Sequence, residues 1–274
     1  MAEARWIYDL TIFLYAASVL FYFHDFLHRN QRANRIAFGL LAGVWVTQTV
    51  FFISQMSAKA YFPVLTLFET LFFYSWILVT LSLLINYFFR IDLLVFFTNL
   101  IGFSVMALSM FISSPAGPTI AHPEAALSEL LFIHITMAII SYAAFSLSMI
   151  CSGLFLLLHK MLKQKRWSPL IRRLPSLDQL ERFTHQLNML GVPLLLLSII
   201  LGTIWAHLVL HGQYWLDSKV WLSVIVLIFY SFWLYKWMMN DWQGRKLATW
   251  NMIAFVVLLI NFLLSDISKF HYWT

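Results

Sequence analysis

Eight runs of mostly apolar residues, at about 6–23, 36–54, 64–89, 91–112, 128–158, 188–210, 219–239 and 247–265, constrain this chain more than any other feature. Each approaches or exceeds the roughly 20 residues that carry an α-helix across about 30 Å of hydrocarbon. Of the 274 residues 61% are hydrophobic and 11% charged, well outside the composition of a soluble domain. The expected fold is therefore all-α, a polytopic membrane helix bundle with eight transmembrane helices. The chain from 1 to 274 reads as a single membrane domain, since its connections are too short to build a separate core. The first run lacks a basic leader and a small-residue cleavage site, so it is expected to be a retained helix.

Charge sets the orientation. The segments after spans one, three, five and seven hold fourteen of the 18 Lys and Arg residues, and the opposite side holds four. Basic residues mark the cytoplasmic side of membrane proteins, so both termini are expected on the outer side. The histidines play no part in this assignment, and it gathers His122, His134, His207, His211 and His271 at the outer side. The segment 159–187 becomes a basic cytoplasmic loop. Leu174, Leu177, Leu180 and Phe183 recur there at three-residue spacing, and Ser176 stands before Asp178 and Glu181. That pattern predicts either a short Ser176-capped interfacial helix or a solvated positive-inside loop. The single cysteine, Cys151, lies in an apolar run and excludes an internal disulfide.

Ionisable groups at membrane depth are costly and mark either function or pairing. Glu69 lies inside span three from the outer side; it is either a helix-end acid bonded to neighbouring Thr or Tyr, or part of a ligand site. His134 lies in the first turns of span five, and His271 lies just beyond span eight on the same side. A lone histidine on an apolar helix is ordinarily satisfied by a neighbour. Two neutral imidazoles from different helices, facing across an aromatic-lined gap, are also what six-coordinate haem iron requires. Between spans six and seven, Trp205, His207, His211, Tyr214, Trp215, Asp217 and Trp221 form an aromatic and polar segment suited to cover a porphyrin. The competing reading is an interfacial aromatic belt. His207 or His211 is an alternative ligand to either of the two histidines. A glycine-rich phosphate loop, a paired Glu-and-His metal helix, a nucleophile elbow and paired acids at membrane depth are all missing from the sequence, which argues against a hydrolase or nucleotide-driven pump.

The order of several short motifs resembles the CcsA-type cytochrome c assembly proteins, most closely a branch associated with haem biosynthesis. These motifs are Pro63 with Phe68-Glu69-Thr70-Leu71 and Trp76, His134 with Ser141-Tyr142-Ala143, and Leu177 through Gly202-Thr203-Ile204-Trp205-Ala206, then Gly244-Arg245 and His271-Tyr272. The resemblance spans nearly the whole chain. It implies His134 and His271 as axial haem ligands, with Gly212, Tyr214, Trp215, Asp217, Lys219 and Trp221 as the remnant of a tryptophan-rich outer loop. Two of that loop's tryptophan positions hold His211 and Leu216 here. The family's synthetases carry a second, intramembrane pair of histidines, and the corresponding positions here are Gln48 and Tyr235.

These departures favour haem sensing over haem delivery. The resemblance implies a haem-binding, non-enzymatic membrane protein that lowers the level of glutamyl-tRNA reductase, with haem, membrane lipid and a cytoplasmic protein such as glutamyl-tRNA reductase as expected partners and no nucleic acid. The alternatives are a cytochrome c maturation component that handles or exports haem, and a transporter of another tetrapyrrole.

Overall fold

The computed structural model describes residues 2–28, 30–59, 62–89, 91–112, 129–165, 171, 173–210 and 217–264. Among them are eight helices: α1 (Ala2–His28), α2 (Gln31–Lys59), α3 (Leu67–Phe89), α4 (Asp92–Ser109), α5 (Glu129–Lys163), α6 (Leu177–Leu210), α7 (Ser218–Met238) and α8 (Arg245–Leu263). All eight are long and apolar enough to cross a membrane, so the expected eight-span helical fold is borne out. The chain divides into two compact units, Met1–Pro118 with α1 to α4 and Thr119–Thr274 with α5 to α8.

In the first unit the polar residues point inward. Apart from Val19, the buried residues of α1 are Tyr8, Thr11, Tyr15, Ser18, Tyr22 and Asp25, a three-and-four spacing that places them on one face, while Trp6, Leu10, Phe13, Leu20 and Phe23 are exposed. Every one of those six carries a hydrogen-bonding atom, the reverse of a soluble amphipathic helix. Lipid tails favour an apolar exterior, and polar side chains then join helix to helix inside. Tyr8 donates to Met106 O at 3.1 Å and pairs with Ser109 Oγ at 2.7 Å. Tyr15 donates to Asn99 Oδ1 at 3.2 Å, and Asn99 Nδ2 donates to Ser82 Oγ at 2.6 Å. Gln48 Nε2 donates to Ser75 Oγ at 3.2 Å, and Ser75 donates onward to Gly102 O at 3.1 Å.

The second unit uses the same device. Fully buried Asn251 accepts from Asn188 Nδ2 at 2.8 Å and donates to Ser148 and Ser152, each at 2.9 Å, so one side chain ties α5, α6 and α8 together. Phe145 stacks on Tyr230 with ring centroids 3.7 Å apart, joining α5 to α7. Contacts between residues fix which helix ends meet. Gly244, in a left-handed conformation with φ +54°, donates its N–H to Glu181 near the start of α6 at 3.3 Å. Lys219, at the start of α7, donates to Asn261 O near the end of α8 at 3.2 Å. The start of α5, the end of α6, the start of α7 and the end of α8 therefore lie at one end of this unit.

The start of α6 departs furthest from the sequence expectation. α5 ends at Lys163, and α6 starts at Leu177 and runs unbroken to Leu210, so Ser176 caps α6 itself and no separate short helix stands at that point. The cap is reciprocal: Gln179 N donates to Ser176 Oγ and Ser176 N to Gln179 Oε1, both at 3.2 Å. A Ser-x-x-Gln capping box starts a helix firmly enough to carry polar Asp178, Glu181 and Arg182 into its first turns. Pro193 lies inside α6, where its missing N–H leaves one helical carbonyl without a backbone partner.

Candidate functional site

His134 lies two turns into α5 and is held by α6. Its Nδ1 is 2.6 Å from Ser198 O and 3.1 Å from Ser198 Oγ, and the Ser198 hydroxyl donates to His134 O at 2.9 Å. A carbonyl oxygen only accepts, so Nδ1 carries the proton and Nε2 holds the free lone pair. Nε2 makes no hydrogen bond to any described residue. A Cβ placed on Gly202 would lie 2.5 Å from His134 Cε1, 2.6 Å from Nδ1 and 3.1 Å from Nε2. The edge of the ring therefore rests directly on the α6 backbone. The two ring nitrogens diverge from Cε1, so with Nδ1 turned to Ser198, Nε2 points away from it.

The ring is thus both satisfied by a neighbour and left with a basic nitrogen. A metal-ligating histidine commonly shows this arrangement, with the second ring nitrogen donating to a carbonyl or carboxylate that fixes the tautomer. Ser198 and Gly202 were absent from the sequence reading as site residues. Their spacing with Ala206 is small-xxx-small, the pattern that lets membrane helices approach closely, and it was the available signal.

The remaining expected residues fall into three groups. Trp205, half-buried, and His207, exposed, stand on α6 in the turns beyond Gly202, and Trp221 on α7 is 57% exposed. Two acids have local structural work. Asp217 is buried as the N-cap of α7, where its Oδ1 accepts from Lys219 N at 2.8 Å. Glu69 is buried in the first unit, and its Oε2 accepts from Leu65 N at 2.9 Å and Thr66 N at 3.0 Å while Thr66 Oγ1 accepts from Glu69 N at 3.3 Å. This is a Thr-x-x-Glu capping box at the start of α3, close to the helix-end reading of Glu69. His271, His211, Gly212, Tyr214, Trp215, Leu216 and His122 lie outside the described residues. Gln48 is fully buried and engaged with Ser75, and Tyr235 is half-exposed. Cys151 is buried as a free thiol.

Eight apolar helices with inward polar residues define a multi-pass membrane protein. Residues 64–271 match the family described as Cytochrome C assembly protein, and the chain belongs to that family. It is similar to Protein HemX of Brevibacillus brevis, at 62% identity over 273 residues and 100% of both chains. It is also similar to Protein HemX of Bacillus subtilis (strain 168), at 48% identity over 265 residues and 96% of both chains. Similarity to the Cytochrome c biogenesis protein CcsA of Trieres chinensis is lower, at 26% identity over 289 residues, covering 92% of this chain and 90% of that one. The family expected from the sequence motifs is borne out, and the eight apolar helices together with the bacterial relatives place the chain in a bacterial membrane.

Proposed function

We propose that this protein binds haem through His134 and His271, without catalysing a reaction, and acts as a negative regulator of haem synthesis by lowering the level of glutamyl-tRNA reductase. The observation that carries the haem-binding part is the state of His134. Its Nδ1–H is committed to Ser198 O, and its Nε2 makes no hydrogen bond to any described residue. A neutral imidazole in that form would hold haem iron through Nε2. Haem held there would supply an iron centre for such nitrogens to bind.

The chain's own residues do the rest. His134 offers the nitrogen from α5, and Trp205 at the end of α6 and Trp221 in the first turn of α7 supply aromatic surface at the same end of the unit. By the distribution of Lys and Arg, that end faces outward and the basic segment between α5 and α6 faces the cytoplasm. Haem held at one end favours one helix arrangement, and the cytoplasmic segment reports it to a partner protein. The regulatory part rests on resemblance to the haem-biosynthesis branch.

Similarity to the CcsA proteins supports a second reading, a component of cytochrome c maturation that handles haem. Gln48 weighs against a second, intramembrane haem site, because it stands where an imidazole would be needed and its amide nitrogen donates to Ser75 in the core. A deletion strain separates the two. The regulatory reading expects raised glutamyl-tRNA reductase with c-type cytochromes at their normal level; loss of those cytochromes at unchanged reductase level contradicts it.

A further inference from the structure

The tight contact between His134 and α6 has a functional consequence that resemblance does not supply. We propose that Ser198 and Gly202 form a seat for the His134 imidazole, and that both are positioning residues of the haem site. The proposal rests on His134 being a haem ligand, and its test separates the two ideas.

The seat has three parts, each fixing a different degree of freedom. Ser198 O takes the Nδ1 proton at 2.6 Å, which selects the tautomer and leaves Nε2 as the base. Ser198 Oγ lies 3.1 Å from Nδ1 and donates to His134 O at 2.9 Å, so the hydroxyl bonds ring and backbone of the same residue and locks α5 against α6 at that level. Gly202 supplies the floor. A methyl group there would fall 2.5 Å from Cε1 and 2.6 Å from Nδ1, inside van der Waals contact with two ring atoms. The obstruction would come from Cβ on a rigid helix, so the imidazole itself must move.

These contacts act on the ligand's chemistry as well as its position. A proton held on Nδ1 by a carbonyl gives Nε2 more anionic character and makes it a stronger donor to ferric iron. Ser198 Oγ adds a second acceptor to the same proton. Removing outer contacts of this kind typically costs about 10–100-fold in metal affinity. Ser198 and Gly202 carry no group expected to ligate iron or to cover a porphyrin, so the effect of replacing them is expected to reach haem through His134.

The test uses full-length protein in detergent, titrated with haem and followed by its Soret and visible spectra. His134→Gly removes the ring and leaves its place empty, and added imidazole is expected to occupy that place and restore the wild-type low-spin spectrum. The double variant His134→Gly with Gly202→Ala has no ring to clash with and so folds without that strain, yet the methyl group fills the seat. Imidazole is expected to leave its spectrum unrestored, or to require at least about tenfold more ligand. Ser198→Ala in the otherwise natural chain is expected to keep haem and to raise its reduction potential. Equal imidazole rescue of the single and double variants, or an unchanged potential in Ser198→Ala, overturns the seat while leaving His134 as ligand. A His134→Gly spectrum identical to wild type overturns the ligand assignment itself.

Discussion

At the scale of single residues, three polar side chains expected to serve one site have separate fates. Among the described residues nothing bonds to His134 Nε2, whereas the Oε2 of Glu69 and the Oδ1 of Asp217 accept backbone N–H groups at helix starts. Two of those N–H groups, at Leu65 and Thr66, depend on Glu69. Glu69→Ala strands them in a buried environment and is expected to destabilise the fold by about 1–3 kcal/mol. Haem affinity measured by titration is expected to stay at the wild-type value. A large loss of haem affinity in a variant that remains folded would return Glu69 to the ligand site. The Thr-x-x-Glu spacing that forms this capping box is visible in the sequence. The contact between His134 and Gly202 was not visible, because it depends on how far α5 and α6 are rotated about their axes.

At the scale of elements, helix identity was legible because each run is long and apolar, and an apolar run of that length has one stable form in lipid. Which face turns inward was legible in part. Tyr8, Thr11, Tyr15, Ser18, Tyr22 and Asp25 repeat at three-and-four spacing along α1, a polar stripe that hydropathy averaging conceals. The start of α6 was misplaced because polar residues near Asp178 and Arg182 resemble a loop, although Ser176 with Gln179 marks a helix start. The interior of the second unit hangs on Asn251, whose partners on α5 and α6 are all buried. Interhelical hydrogen bonds in membranes average about 0.6 kcal/mol each. Asn251→Leu loses three and also strands Asn188, so a loss of about 2 kcal/mol is expected from equilibrium unfolding in mixed micelles. Loss of less than a few tenths would mean that packing alone holds these helices.

At the scale of the whole molecule, the proposed haem-binding end belongs to the second unit of an eight-helix membrane protein of the cytochrome c assembly family. The distribution of basic residues predicts that reporter fusions at either terminus report an external location, and that one inserted after Lys165 reports the cytoplasm. The reverse pattern would move His134 to the cytoplasmic face and place haem on the side of the synthetic enzymes. Haem that binds only the folded protein must also stabilise it. At a free concentration of about 100 times its dissociation constant, the gain is about 2.7 kcal/mol, seen as a raised thermal midpoint that depends on haem concentration. A midpoint that ignores haem would count against a specific site.

The most direct measurement of the central claim is the absorption spectrum of purified protein titrated with haem, recorded for wild type, His134→Ala and His271→Ala. The account predicts a low-spin Soret band in wild type that shifts and weakens in each variant. A wild type that takes up no haem, or a band unchanged by both substitutions, would contradict it.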